Sequence, residues 1–322
     1  MGELRWQLTD EERDGQLALF GIDGLIGPQR GTGRLSGLEF LHVAAKQILN
    51  PVPALSRMPF RWTINVYRGC SHACRYCFAR PTHEYLGLSL GEDFDRKIVV
   101  KVNAVEKVRA ELAAPGWTGE PIAMGTNTDP YQRSEGKYRL TRGVVEALAE
   151  HANPFSILTK SALVTRDLDV LVAAARRADV TVNFSIPTLD EAVWRATEPG
   201  TPNPQRRIDA MRQVAAAGIK TGALIAPVLP GLSDRPDQVA EVVRAVQGAG
   251  GRVLGAMALH LRPGTREHFL TWLAEHDPTL HASYLRRYAT SDYAPHRYTD
   301  RLRAMVADAQ SSSTLPVSVR AG

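Results

Sequence analysis

Between Thr63 and Leu261 the chain alternates short apolar runs with longer helical patterns. The runs are TINVY (Thr63–Tyr67), IAMGT (Ile122–Thr126), FSILT (Phe155–Thr159), VTVNFSI (Val180–Ile186), TGALIAP (Thr221–Pro227) and VLGAMALHL (Val253–Leu261). Most are rich in Val, Ile or Leu and bounded by Gly, Pro or polar residues, as buried strands are. Between them, LTRGVVEALAEH (Leu140–His151), RDLDVLVAAARR (Arg166–Arg177), QRRIDAMRQVAAAG (Gln205–Gly218) and RPDQVAEVVRAVQGAG (Arg235–Gly250) place apolar residues at helical spacing. Strands alternating with helices of this length make βαβ units on a parallel sheet, so the fold class is α/β. Six such units are too few for a closed eight-unit barrel. They suit an open, partial barrel or a doubly wound sheet, and in both the ligands gather at the carboxyl ends of the strands.

The flanks read differently. Residues 1–58 form a lead-in: GIDGLIGPQRGTGRLSG is glycine-rich and reads as loop, and Leu38–Leu49 reads as a short helix. KIVVK (Lys97–Lys101) is an ambiguous run inside a long insertion. Residues 59–264 form the main unit, 265–310 a helical extension and 311–322 a loose tail. In the extension, Phe269, Trp272 and Leu273 lie at helical spacing, which serves packing. Tyr284, Arg286, Arg287, Tyr288, Tyr293, His296, Arg297 and Tyr298 interleave basic and aromatic residues. That composition stacks bases and holds phosphates, or closes the side of a barrel.

Composition excludes other classes. Hydrophobic residues are 44% of 322, enough for a sizeable core, yet no apolar run reaches the about 18 residues of a membrane span. The start, MGELRWQLTDEERDG, is acidic and polar and unlike a signal peptide, so the expectation is a cytoplasmic protein with no membrane partner. A net charge of +5 permits a nucleic-acid partner without requiring one. No dinucleotide or P-loop glycine pattern occurs, and the histidines show no ligand spacing.

The chain's three cysteines all fall in CSHACRYC: Cys70, Cys74 and Cys77. In a reducing cytoplasm, clustered thiols more often bind metal than pair, and a disulfide with one spare thiol is poorly motivated. Structural zinc takes four ligands, often as two separated pairs. No second pair exists, and His72 is too close in sequence to close a tetrahedron easily. The remaining option is a 4Fe-4S cluster on three thiolates, which leaves one iron open to a substrate. The loop directly follows the first strand, on the ligand-binding side.

C-x3-C-x2-C with an aromatic residue before the third cysteine, here Tyr76, resembles the signature of the radical S-adenosylmethionine (radical SAM) superfamily. INVYRGCSHACRYCFARPTHEYLGL and GTNTDPYQ resemble its spore photoproduct lyase-like branch of bacterial proteins, over roughly residues 34–310. The resemblance implies a partial barrel of six βα units. It also implies a 4Fe-4S cluster on Cys70, Cys74 and Cys77 whose open iron chelates the amino and carboxylate groups of S-adenosylmethionine. One electron then breaks the sulfonium bond, and a 5′-deoxyadenosyl radical abstracts hydrogen from the substrate. Such an enzyme needs a reducing partner such as flavodoxin or ferredoxin. The rival class is a non-catalytic cluster protein: an electron carrier or a redox-sensing nucleic-acid binder.

The same resemblance distributes the cofactor's parts. Gly125, Thr126, Asn127 and Thr128, after the second strand, meet the methionyl amine, where glycine lets backbone approach and carbonyls and hydroxyls accept from an ammonium. Lys160 meets the methionyl carboxylate in a charge-assisted hydrogen bond. Ser185 meets the ribose, and Ile225, Ala226 and Pro227 pack the adenine. Glu198 and Arg206, in TEPGTPNPQRR, lie within reach of the cofactor or form a surface ion pair. Tyr76, Thr126, Asp129 and Tyr131 are the candidates around the reacting radical.

Two departures separate the chain from the lyases it resembles. Those enzymes quench the substrate radical with a cysteine near the end of the second strand. Here there is no fourth cysteine, and a threonine O–H bond is too strong for Thr126 to replace a thiol. They also carry tyrosines on both sides of the third cysteine, where this chain has Tyr76 and Phe78. The expected substrate is therefore something other than spore photoproduct, such as a modified nucleic acid or a peptide.

Overall fold

The computed structural model describes residues 25–313, apart from 54 and 57. The acidic start and the tail beyond 313 lie outside the described residues. The strands are β1 (Leu25–Arg30), β2 (Glu39–Val43), β3 (Leu49–Pro51), β4 (Trp62–Ile64), β5 (Tyr67–Arg68), β6 (Lys97–Lys101), β7 (Ile122–Met124), β8 (Phe155–Thr159), β9 (Val180–Ser185), β10 (Lys220–Val228) and β11 (Arg252–Ala258). The helices are α1 (Glu92–Arg96), α2 (Ala104–Leu112), α3 (Glu135–Tyr138), α4 (Leu140–Glu150), α5 (Leu168–Ala175), α6 (Glu191–Thr197), α7 (Pro204–Ala216), α8 (Pro236–Gly248), α9 (Thr265–His276), α10 (Pro278–Arg287) and α11 (His296–Ser313). None is long and apolar enough to cross a membrane.

The main sheet has the order β11-β10-β9-β8-β7-β4-β3. The strands from β4 to β11 are parallel, and β3 pairs antiparallel on the β4 edge. Each parallel strand of this sheet lies beside the one before it in the chain, so the sheet winds one way. A doubly wound sheet reverses its order at a switch point; this one never does, and the architecture is the partial barrel. β3 and β11 do not pair with each other, so the barrel is open between them.

The residues explain the layers. On β9, Val180, Val182 and Phe184 are buried while Thr181 and Asn183 are half-buried, the alternation of a strand with one face on a core. The buried set packs with Ile157 of β8, Ala223 and Ile225 of β10, and the apolar stripes of α4, α5, α7, α8 and α11. A second core joins Leu259, Leu261, Phe269, Leu273, Tyr284 and Tyr288 to Cys74 and Tyr76. Through it α9 and α10 pack against the cysteine loop.

Three readings of the sequence are corrected. Leu38–Leu49 is not a helix: Glu39–Val43 pairs in register with Lys97–Lys101 on one side and with β1 on the other. Tertiary pairing overrides a weak local pattern here, as strand propensity usually depends on neighbours. The stretch taken as loop supplies β1, and the ambiguous KIVVK is β6. These strands and β5 make a separate small sheet, in the order β1-β2-β6-β5. The expected first strand, Thr63–Tyr67, is split: it leaves the main sheet after Ile64 and joins the small one at Tyr67.

Phe184→Ala removes a fully buried ring from the middle of the sheet. It should destabilise the protein by about 3–5 kcal/mol, while Leu285→Ala, on an exposed face of α10, should change stability by less than about 0.5 kcal/mol. Urea unfolding of the two variants checks this, and equal losses would contradict the layer assignment.

Candidate functional site

The cysteine loop has little regular structure of its own and is held by its surroundings. Gly69 starts it with φ +79°, and a Cβ there would sit 2.8 Å from the His83 ring and 2.9–3.0 Å from two backbone oxygens. The Gly69 carbonyl accepts from Thr128 Oγ1 (2.7 Å) and Gln132 Nε2 (3.0 Å), while Gln132 Oε1 accepts from the Ser71 N–H (2.9 Å). The Cys70 N–H donates to the Phe94 carbonyl at 2.9 Å. Arg80, wholly buried, donates to the Cys74 carbonyl at 2.9 and 3.2 Å, to the carbonyls of Leu90 and Gly91, and to Asp95. Thr265, at the start of α9, donates to the Cys77 carbonyl at 3.1 Å. On the far side, the Arg75 N–H reaches the Thr197 carbonyl and the Gly200 N–H reaches the His72 carbonyl.

All three cysteines are free; Cys70 and Cys74 are buried and Cys77 is partly exposed. Burial, together with the Glu198 carboxylate, pushes the Cys74 thiol well up. Burial and the neighbouring Cys70 raise Cys77 to about 11. Among the described residues, no three His, Cys, Asp or Glu side chains close around a point as ligands of a single ion.

A buried charge network lies against this loop. Glu198 sits between Lys160 Nζ (2.9 Å) and the guanidinium of Arg207, and the Tyr76 hydroxyl donates to it as well. Lys160 Nζ also donates to Ser185 Oγ (2.7 Å) and lies 5.5 Å from the centre of the Tyr76 ring. Ser185 Oγ donates to the Ala226 carbonyl at 2.8 Å. Burial alone would raise the Glu198 carboxyl; Arg207 and Lys160 outweigh it and hold it well below the usual carboxylate range. Burial and Glu198 push the Tyr76 phenol far up, so it stays protonated. Asp129 is equally occupied: it accepts from Thr159 Oγ1, the Lys160 N–H and the Tyr131 N–H at 2.7–2.8 Å and faces His72 at 3.4 Å. Burial opposes the charge on His72, but Asp129 and Cys70 raise it to about 10.

The structure thus joins Tyr76, Lys160, Ser185 and Ala226 in one network and separates other candidates from it. Gly125 turns out of β7 with φ +91°, and a Cβ there would lie 1.9 Å from the Leu158 carbonyl oxygen, so only glycine fits. Thr126 and Asn127 are half-exposed and bonded to Asn65. Thr128 is buried and spends its hydroxyl on Gly69. Tyr131 is fully buried, with Asp167 and Glu135 as its charged neighbours. Ile225 lies in the main core. In the extension, Tyr284 and Tyr288 are core residues, whereas Tyr293 is exposed.

Arg206 is exposed; the arginine that reaches inward is Arg207. The helical period held this signal, because Arg207 shares its face with Ile208, Met211 and Val214. Glu198 is no surface ion pair but the centre of the network, and its burial could not be read from a loop sequence.

Glu198 carries a testable consequence. Its folded value lies below its unfolded one, so the stability it contributes is complete above the ordinary glutamate range and is lost as the pH falls below it. Glu198→Gln leaves two buried cations without their counter-ion and should cost about 3–5 kcal/mol at pH 7, a deficit that narrows in acid. Unfolding of both proteins from pH 7 to pH 3 measures it; a deficit that grows in acid would refute the ion-pair assignment.

The profile of the Radical SAM superfamily matches residues 64–246. An uncharacterized protein of Mycobacterium tuberculosis is 44% identical over 294 residues, 91% of this chain and 86% of that protein. A Radical SAM Nalpha-GlyT isomerase of a Pseudomonas phage is 26% identical over 52% of this chain and 33% of its own length. Among solved structures, spore photoproduct lyase complexed with dinucleoside spore photoproduct superposes with a TM-score of 0.62 at 16% identity, over 85% of this chain and 79% of that one. At that identity the likeness is one of fold. With the family profile covering more than half of the sequence, including all three cysteines, the chain belongs to the radical SAM superfamily.

Proposed function

We propose that this protein is a radical SAM enzyme in which Cys70, Cys74 and Cys77 hold a 4Fe-4S cluster and the network around Lys160 receives S-adenosylmethionine. The donor set supports this: three free thiols on one loop, whose backbone is held from outside by Arg80, Gln132, Thr128 and Thr265. When bound, this pair of cofactors supplies reductive cleavage of the sulfonium to methionine and a 5′-deoxyadenosyl radical.

The observation that carries the reading is the charge balance behind the loop. Lys160 and Arg207 share a single carboxylate, Glu198, in a site shielded from water. One positive charge is left over, and a methionyl carboxylate would neutralise it through Lys160. Ser185 and the Ala226 carbonyl, already linked to Lys160, present a hydroxyl and an acceptor beside it for the ribose and adenine. Gly125, Thr126 and Asn127 offer backbone and side-chain oxygens to the amine. Tyr76 is held by Glu198 and stays a neutral phenol beside the cysteines. The absent fourth cysteine and Phe78 support a substrate other than spore photoproduct.

Anaerobic reconstitution should give a brown protein with about four irons per chain. With dithionite and S-adenosylmethionine it should form 5′-deoxyadenosine, and Cys74→Ala should lose both colour and product. A colourless protein carrying one zinc would overturn the assignment.

Lys160→Ala in the reconstituted protein should weaken S-adenosylmethionine binding by about 2 kcal/mol or more while iron content is unchanged. Equilibrium dialysis reads this directly, and an unaltered affinity would remove Lys160 from the cofactor site.

A further inference from the structure

Beside Cys77 the surface carries a ladder of rings that the chemistry above does not use. Phe78 is 47% exposed, and its ring centre lies 6.0 Å from that of His260, with the planes 37° apart. His260 in turn stacks on Tyr293, 56% exposed, at 5.8 Å and 23°. An isolated antiparallel bridge between His260 and Tyr293 fastens this part of the ladder through the backbone. Arg262, exposed, donates from Nη2 to the Tyr293 hydroxyl at 3.3 Å. The chain reaches His260 from β11, the edge strand of the main sheet. There Val253, Ala256 and Ala258 pack on the main core, and Leu254 and Met257 are exposed, separately from the rings.

Exposed aromatic rings gathered in this way mark an interaction surface. Its shape selects the occupant. The two end rings, Phe78 and Tyr293, are the exposed ones, so the ladder offers flat π-faces to another planar ring. Arg262 places a permanent cation at the Tyr293 end, and the whole chain carries +5. Aromatic faces combined with arginine are how single strands are held, because every unpaired base has a π-face and a nearby phosphate. In a duplex the base faces are hidden by their neighbours.

We propose that Phe78, His260 and Tyr293, with Arg262, form a stacking platform for a nucleobase of single-stranded nucleic acid. The proposal rests on the reading of the cysteine loop as the reactive centre, since Phe78 adjoins Cys77 and would hold the base next to it. Phe78 then serves as a flat face where the related lyases have a tyrosine.

Fluorescence anisotropy with the full-length protein tests this. The probes are fluorescein-labelled DNA and RNA single strands of about 12 nucleotides, the same DNA as a duplex, and a tyrosine-containing peptide of similar length. A single strand should bind more tightly than the duplex. Phe78→Ala and Tyr293→Ala should each weaken it about tenfold, and Arg262→Gln should reduce its salt dependence. Tyr85→Ala, an exposed aromatic outside the ladder, should change nothing. Because Tyr293 is far from the cysteines in sequence, its variant keeps the result separate from cluster loss, and melting curves confirm folding. No binding of either strand, preference for the duplex, affinity insensitive to both ring variants, or ring-dependent binding of the peptide alone would each overturn the proposal. The assay needs neither reductant nor turnover. Binding without 5′-deoxyadenosine formation would sink the enzyme reading, and turnover without ring-dependent binding would sink the platform.

Discussion

A single buried carboxylate, Glu198, is the point where the cysteine loop, the main sheet and the helix layer meet. Tyr76 comes from the loop, Lys160 from the end of β8 and Arg207 from α7, and all three engage it. Taking these charges out of water is costly, and their mutual attraction in a poorly screened interior repays it only if the geometry is kept. Any shift of the loop relative to the strand ends would separate Tyr76 from Glu198 and leave polar groups unsatisfied. The loop has no ladder or helix of its own to resist such a shift. Its position is therefore a property of the network and of Arg80, Gln132 and Thr128, which bind its backbone.

The open barrel and its C-terminal helices give this network its setting. The end of β4 and the start of β5 belong to different sheets, so the chain enters the cysteine loop fixed by hydrogen bonds to both. On the other side, Leu259, Phe269 and Tyr284 pack against Cys74 and Tyr76 and exclude water from the inner part of the loop. Burial strengthens the interactions among Lys160, Glu198 and Arg207. Cys77 and Phe78 are left towards the surface. The loop thus has a dry half and a wet half.

Much of this was legible in the residues. Six parallel strands with helices between them follow from apolar runs and helical periods, and C-x3-C-x2-C is a local signal that survives without a structure. Lys160 and Ser185 were expected at strand ends, and they lie just after β8 and at the end of β9. Other parts were not legible. Leu38–Leu49 has no strong strand pattern and becomes β2 and β3 only because β6 and β4 supply partners. Arg206 and Arg207 are chemically alike, and only the phase of α7 distinguishes the exposed one from the buried one.

By itself, then, the sequence determined the alternation of strands and helices from Ile122 to Leu261, the parallel α/β class and the grouping of three thiols on one loop. These depend on local periodicity and spacing, which are written along the chain. Only the tertiary structure decided that the sheet winds one way and stays open, that Thr128 and Asp129 are occupied with holding the loop, and that Glu198 is a buried counter-ion. It also decided that the rings of Phe78, His260 and Tyr293 meet, although His260 and Phe78 are 182 positions apart. Burial and charge pairing depend on which distant segments meet. That information lies in the packing of the whole core and not in any one stretch of the chain.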